Sequence, residues 1–427
     1  MELTVLFGTF VVLLLIGVPV AFSLGISSLA AVIYMGVPPL IVFQRMAAGM
    51  NVFALMAIPF FIYSGELMHH GAIAERLVKL AAGMVGHRRG GLGLVNVTAS
   101  VFFGGVSGSA VADASAVGAI MIPQMEKRGY DKDYSVNITV TAAIIALLIP
   151  PSHNMIIYSI SAGGTISIAD LFTAGIVPGL LLATLLMLTA YFVAVKKGYP
   201  AEIFPGFRKL GYIFIDALPG LFLVAIIVGG VRSGIFTATE SSVIAVVYAM
   251  LVTLLVYRSL DWPTFAKSTI GAVKTTAMVL MVIGAASAFG WLLALLQVPQ
   301  SMIVTMRALS DNPLVIFMFL NLILLFLGCF MDMAPLIIIC TPIFLPVVKA
   351  FGMDPVQFGV LLVLNLGIGL CTPPVGSVLF VGCAVGEIPI TQAVKTIWPF
   401  YGACILTLLL VTYIPEISLF LPHLMAK

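Results

Sequence analysis

The chain alternates long apolar runs with short polar connections. Runs near 4–34, 46–68, 135–160, 170–194, 212–231, 235–257, 276–297, 356–385 and 397–421 read as membrane-spanning helices, which need roughly 20 apolar residues each. Two further runs, 92–123 and 313–348, are pairs of apolar arms too short to span singly. Each pair flanks a polar, small-residue tip: SGSAVAD at 107–113 and GCFMDMAP at 328–335. The pattern predicts two re-entrant hairpins. The alternative for either run is one long, tilted helix with a polar interruption, since hydropathy does not register a re-entrant turn.

The same pattern occurs twice, 223 positions apart. Pro123, Gly129, Asp131, Pro150, Pro151 and Gly163 recur without a gap as Pro346, Gly352, Asp354, Pro373, Pro374 and Gly386. Upstream, GISSLAAVIYM (25–35) resembles TESSVIAVVYAM (239–250), and Asn96 and Gly65 stand to Asn321 and Gly290 at a nearly equal offset. A double proline removes backbone hydrogen bonds where no lipid can replace them, so the break must be buried in protein or line a cavity. Paired Gly/Pro-interrupted helices at matching places in two halves point to the binding site of a secondary transporter. The fold expected is therefore an all-α polytopic membrane protein: an inverted repeat with two re-entrant hairpins and two broken helices.

Composition excludes a soluble domain. The 427 residues are 61% hydrophobic and only 9% charged, far from the usual soluble mixture. A net charge of +3 gives no reason to expect a nucleic-acid partner. Its basic residues are better read as topology signals. With both hairpins returning to the side they came from, 15 of the 20 Lys and Arg residues fall on one side, and Arg45, Arg232, Arg307, Lys349 and Lys427 on the other. That split fits the positive-inside rule. It sends the first hairpin in from the cytoplasm and the second from outside, with the amino terminus inside and the carboxyl terminus outside. The first apolar run lacks a basic leader and a convincing cleavage site, so it is expected to stay as a membrane helix. The five cysteines lie in apolar surroundings with no metal-binding spacing.

Candidate chemistry gathers at the interruptions. The first tip offers the hydroxyls of Ser107, Ser109 and Ser115 and the carboxylate of Asp113. Close helix packing through small residues explains the glycines and serines but not the carboxylate, which is costly inside a membrane and marks a functional site by default. Oxygen ligands of this kind suit Na⁺ better than a transition metal. Around Pro150, carbonyls lose their helical donors, and Ser152, His153 and Asn154 open the next helix, where free amides and the helix dipole meet an anion. His153 is either a proton carrier or a neutral hydrogen-bonding group. In the second half Asp332 stands where the offset predicts Ser109, and GLCTPPVGS supplies Gly369, Thr372, Gly376 and Ser377. Symmetry suggests two sodium sites, one per half.

Other polar residues carry ordinary readings. Arg45 and Glu66 near the ends of the second apolar run suit snorkelling and interfacial anchoring. His69 and His70 point about 100° apart on a helix and read as cytoplasmic surface. No phosphate loop, nucleophile elbow or HExxH is present, so ATP hydrolysis and intramembrane proteolysis find no support.

The motifs GGVSGSAVADASAVGAIMIP (104–123), LIPPSHNMIIYS (148–159), GGVRSGIFTATESS (229–242) and GLCTPPVGSVLF (369–380) resemble the large membrane subunit of tripartite ATP-independent periplasmic (TRAP) transporters, over essentially the whole chain. The resemblance implies a sodium-driven importer of an acidic small molecule, not an enzyme, in the bacterial inner membrane. It implies a periplasmic substrate-binding protein and a small four-helix membrane subunit, here a separate chain, as partners. An elevator-type motion of the hairpins and broken helices against a static scaffold is implied as well. Carried over residue by residue, Ser107, Ser109 and the carbonyls near Pro150, with Asp113 close by, match the first sodium site. Gly328, Asp332, Gly369 and Thr372 match the second, while Ser152, His153, Asn154, Pro374, Gly376 and Ser377 fall to the substrate. The run Ser152-His153-Asn154 looks like the sialic-acid branch rather than the C4-dicarboxylate branch.

On this reading the chain divides into first-half scaffold helices (1–91), a first transport unit (92–168), a connecting helix and linker (169–211), second-half scaffold helices (212–312), a second transport unit (313–396) and a terminal helix (397–427). A related sodium/carboxylate symporter that needs no binding protein, an ion channel on the same repeat and an intramembrane enzyme using Asp113 and Asp332 are the competing readings.

Overall fold

Gly/Pro punctuation sets where the helices stop. In the computed structural model, which describes residues 1–425, helices carry almost the entire chain and no strand occurs among the described residues. Lys427 and the end of the terminal segment lie outside the described residues.

The first interrupted run is a hairpin. Its arms, Gly91–Ser107 and Ala110–Lys127, are packed side by side and joined at Gly108, whose φ of 58° is the left-handed conformation that glycine adopts freely. In the second, Pro313–Gly328 and Met333–Ala350 pack more against neighbouring helices than against each other. The double prolines break the helices that follow. Lys132–Ala142 and Ile145–Leu148 are separated from His153–Ser161 by a bend of 51°, and Pro355–Gly369 ends before Ser377–Val385. Both Pro-Pro bonds are cis. Arm for arm, these boundaries recur at offsets of 221 to 224 positions.

Four spans differ from the sequence reading. Residues 4–34 form two helices, Glu2–Leu15 and Val20–Tyr34, packed side by side about a turn at Gly17, whose φ is 88°. The chain thus returns to the side it started from, which puts the amino terminus on the same side as Arg45 instead of on the opposite one. No Lys or Arg precedes Arg45, so the split of basic residues is unchanged. Residues 46–68 are broken between Leu40–Met50 and Phe53–His70 with a bend of 62°. The terminal run bends by 60° between Trp398–Tyr413 and Pro415–Met425, where proline cannot continue the first helix. By contrast Trp262–Leu295 continues for 34 residues, about 51 Å at 1.5 Å per residue. Its amino-terminal part therefore projects beyond an apolar layer about 30 Å thick, which places Lys267 in the polar zone.

Crossed packing ties the halves together. Val20–Tyr34 lies against Trp262–Leu295, while Ala238–Leu251 lies against Ala57–His70, so each half supplies a helix that packs on a helix of the other half. The linker between halves is pinned rather than loose. Tyr130 donates to the Pro200 carbonyl at 3.0 Å, the Glu202 amide donates to the Gly86 carbonyl at 3.1 Å, and Arg128 pairs with Glu202 at 3.1 Å.

Candidate functional site

Each hairpin tip is seated on the broken helix of its own half by the absence of side chains. Around the first tip, a Cβ on Gly104 would stand 2.6 Å from the Ala146 Cα, and Gly108 lies directly over the Pro151 carbonyl. Around the second, a Cβ on Gly369 would stand 2.6 Å from the Gly328 Cα. The Val375 amide donates to the Cys329 carbonyl at 3.0 Å, closing the break onto the tip.

The offset between halves places different chemistry at one backbone position. Ser109 is the N-cap of the second arm of the first hairpin and accepts from the Ala112 amide at 3.4 Å. Asp332 is the N-cap of the matching arm, with no capping hydrogen bond from its side chain, and is exposed on a cavity wall. That cavity, of about 490 Å³, joins the two halves. Ser107, Ser109 and Ser115 come to it from the first hairpin, His153 and Asn154 from the broken helix, and Asp332 from the second hairpin. The first turns of three helices, Ala110–Lys127, His153–Ser161 and Met333–Ala350, all open onto it. Unsatisfied amides and three positive dipole ends make this space favourable for an anion.

The remaining sequence candidates stand back from the cavity. Asp113 is fully buried between the arms of the first hairpin, where one carboxylate oxygen accepts from Ser100 at 2.7 Å and the other has no partner. Pro150 and Ser152 are buried behind Gly108, and the Ser152 hydroxyl is also without a partner. Gly328 and Gly369 form the contact at the second tip, and the Thr372 hydroxyl donates back to the Ile368 carbonyl of its own helix at 2.8 Å. Pro374, Gly376 and Ser377 lie at the second break outside the cavity lining. Ser377 keeps a buried, unpartnered hydroxyl.

Glu66, His69 and His70 do not sit on an outer surface: they line the cavity together with the hairpin tips. His70 faces Glu66 at 3.5 Å, one helical turn away, and His69 Nδ1 is buried without a partner. Gly271 of Trp262–Leu295 leaves the space that the Glu66 carboxylate fills. The signal for them was available, because Glu66 and His70 are four apart on an apolar helix and so share one face. The adjoining basic stretch masked it.

Comparisons with known proteins agree with this architecture. The family model described as the DctM component of the tripartite ATP-independent periplasmic transporter matches residues 7–417. The chain is 43% identical to the uncharacterized protein YgiK of Salmonella typhimurium, over 99% of this chain and 97% of that one. It is 38% identical to the sialic acid TRAP transporter large permease protein SiaM of Vibrio cholerae, over 96% of each. It is 35% identical to the C4-dicarboxylate TRAP transporter large permease protein DctM of Rhodobacter capsulatus, over 100% of each. Among solved structures, the YdaH transporter of Alcanivorax borkumensis shares the fold, with a TM-score of 0.61 over 87% of each chain at 13% identity. A membrane-embedded chain with these paired hairpins and broken helices, matched by that model over nearly its whole length, belongs to the DctM family of TRAP transporter large permeases.

Proposed function

We propose that this chain is the sodium-driven permease subunit of an importer for an acidic sugar, with N-acetylneuraminate as the cargo. The observation that carries the reading is the cavity in which both hairpin tips and the first broken helix meet under three helix N-termini. An anionic group fits beneath those amides, and the polar side chains of Ser107, His153 and Asn154 suit a polyhydroxylated body. Sodium fits the oxygen-rich surroundings of the tips: Ser107, Ser109 and the Pro150 carbonyl at one, Asp332 and Thr372 at the other, with Asp113 behind the first.

Coupling follows if sodium and cargo prefer the same conformation. Cations order the two tips, the ordered tips complete the anion site, and the loaded block moves against the scaffold that carries Glu66 and His69. The two halves then act as an inverted repeat and the motion is of elevator type. A periplasmic binding protein delivers the cargo, a small four-helix subunit on a separate chain widens the scaffold, and the assembly sits in the bacterial inner membrane.

The test is uptake of radiolabelled N-acetylneuraminate into proteoliposomes holding this chain and its small subunit, with and without binding protein, under an inward sodium gradient. Uptake that needs both supports the reading, and Asp332→Ala should then weaken sodium activation. Uptake of succinate instead, with its own binding protein, overturns the sugar-acid cargo and keeps the transport class. Unchanged sodium activation in Asp332→Ala removes that residue from the coupling scheme.

A further inference from the structure

A second cavity, of about 500 Å³, lies on the far side of the same helices. His153–Ser161 opens onto the first cavity at His153 and Asn154 and onto this one at Ile157, Ile160 and Ser161. Trp262–Leu295 does likewise, reaching the first at Thr275 and Met278 and the second at Ile283, Ser287 and Trp291. In Met333–Ala350 the first turn faces one space, while Ile338 and Pro342 face the other. Three helices thus run from one cavity to the other. At 1.5 Å per residue, the step from His153 to Ser161 is about 12 Å. The second cavity lies toward the sparsely charged side, and its walls come from the scaffold on one face and the hairpin and broken helix on the other. It has the position of an outer vestibule.

One charged side chain stands on its wall. Arg45 lies with its guanidinium 5.0 Å from the centre of the Trp291 ring, and among the described residues it forms no ion pair. A snorkelling arginine would extend away from the protein toward headgroups. Stacking on Trp291 instead fixes the guanidinium plane and leaves its N–H groups free for a planar oxyanion. On the same wall, Gly290 leaves nothing within 4 Å of where a Cβ would stand, so the cavity is open there.

We propose that Arg45, held by Trp291, is the docking residue of this outer vestibule for the carboxylate of a soluble acidic solute, occupied before the solute reaches the inner cavity. The inference rests on the cargo being an acid. A lipid phosphate offers similar oxyanion chemistry, but the mouth between scaffold and moving unit favours the soluble source.

The test uses the complex of this chain with its small subunit in nanodiscs. Trp262 and Trp398 are replaced by phenylalanine, so that Trp291 is the remaining tryptophan of this chain, and a matched Trp291→Phe sample supplies the background. Titration with N-acetylneuraminate or succinate should change Trp291 emission saturably. Arg45→Ala should abolish the change, and Arg45→Lys should keep it at weaker affinity, by about tenfold for the lost bidentate contact. In proteoliposomes with loaded binding protein, Arg45→Ala should lower uptake about tenfold at limiting cargo, the scale of one lost charge-assisted hydrogen bond, while the sodium concentration for half-activation stays put. Gly290→Val, which adds apolar bulk to the vestibule wall at a place where the new Cβ meets nothing within 4 Å, should slow uptake as well.

An emission change that persists in Arg45→Ala, or uptake unaffected by that substitution in a complex whose wild type transports, overturns the proposal. So does emission that follows the anionic lipid content of the nanodisc and ignores both acids. If the wild type transports neither acid, the cargo reading fails, and the titration still decides the role of Arg45.

Discussion

Replacing Gly369 by alanine tests the seating of the second hairpin tip on its broken helix. The added methyl would stand 2.6 Å from both the Cα and the carbonyl carbon of Gly328. Neither is the end of a flexible side chain, so the two backbones must part. Overpacking of this kind costs about 1–3 kcal/mol, against which alanine returns up to about 1 kcal/mol of helix propensity. A net loss of about 1–2 kcal/mol lowers the balance between seated and unseated tip by roughly 5- to 30-fold. Gly328→Ala should be milder, because its methyl meets the Gly369 Cα at 3.2 Å and needs only a small adjustment. Gly402→Ala, with nothing within 4 Å, is the control and should gain stability. Thermal unfolding of the purified chain in detergent, in sodium chloride and in choline chloride, reads all three. The expected order runs from Gly402→Ala as most stable, through wild type and Gly328→Ala, to Gly369→Ala, with sodium stabilising Gly369→Ala least. A Gly369→Ala protein as stable as the Gly402→Ala control, with the same gain from sodium, would refute the close-seating account.

Three further outcomes are expected. Ser100→Ala removes the one hydrogen bond donor to the buried Asp113 carboxylate and should cost about 1–3 kcal/mol in chemical unfolding; no loss would mean that another partner serves Asp113. Asn365 donates to Asn321 at 2.9 Å, and Asn321 to Thr412 at 2.9 Å, linking hairpin, broken helix and terminal helix. Asn321→Leu leaves Asn365 without an acceptor for that bond and should destabilise more than Thr412→Val, and the reverse order would count against this chain of bonds. Outside the membrane, Lys197 at 2.6 Å and then Tyr199 hold the Asp131 carboxyl below its ordinary value. A depressed carboxyl contributes stability that is present above about pH 4 and fades as pH falls through its folded value. Wild type and Lys197→Ala should therefore differ at pH 7 and converge in strong acid, and a constant gap from pH 7 to pH 2 would show that the pair is not the cause.

The first hairpin and the broken helices were legible because glycine and proline act locally. Gly108, the double prolines and the matching Asp131 and Asp354 fix where helices stop whatever surrounds them. The turn at Gly17 was not legible, since a single Gly-Val-Pro step inside a continuous apolar run leaves hydropathy unchanged while it folds two helices against each other. The cavity wall at Glu66, His69 and His70 was missed for another reason: which face of a helix looks into a cavity depends on what packs across from it. Within the candidate site, residue types at the tips could be read directly. That Asp113 points between its own arms toward Ser100, whereas Asp332 faces the shared cavity, needed the packing.

The N-cap position shared by Ser109 and Asp332 has an electrical consequence. Matching backbone places carry a neutral hydroxyl in one half and a carboxylate in the other, so on the elevator motion proposed above Asp332 contributes negative charge to the empty block where it meets the cavity. On the proposed count of one Na⁺ per tip and one mono-anionic cargo, the loaded block carries one unit less negative charge than the empty one. A membrane potential negative inside acts on each unit with about 2.3 kcal/mol per 100 mV. On that proposed count, the Asp332 carboxylate adds voltage dependence to the return of the unloaded block, whose outward movement the potential assists.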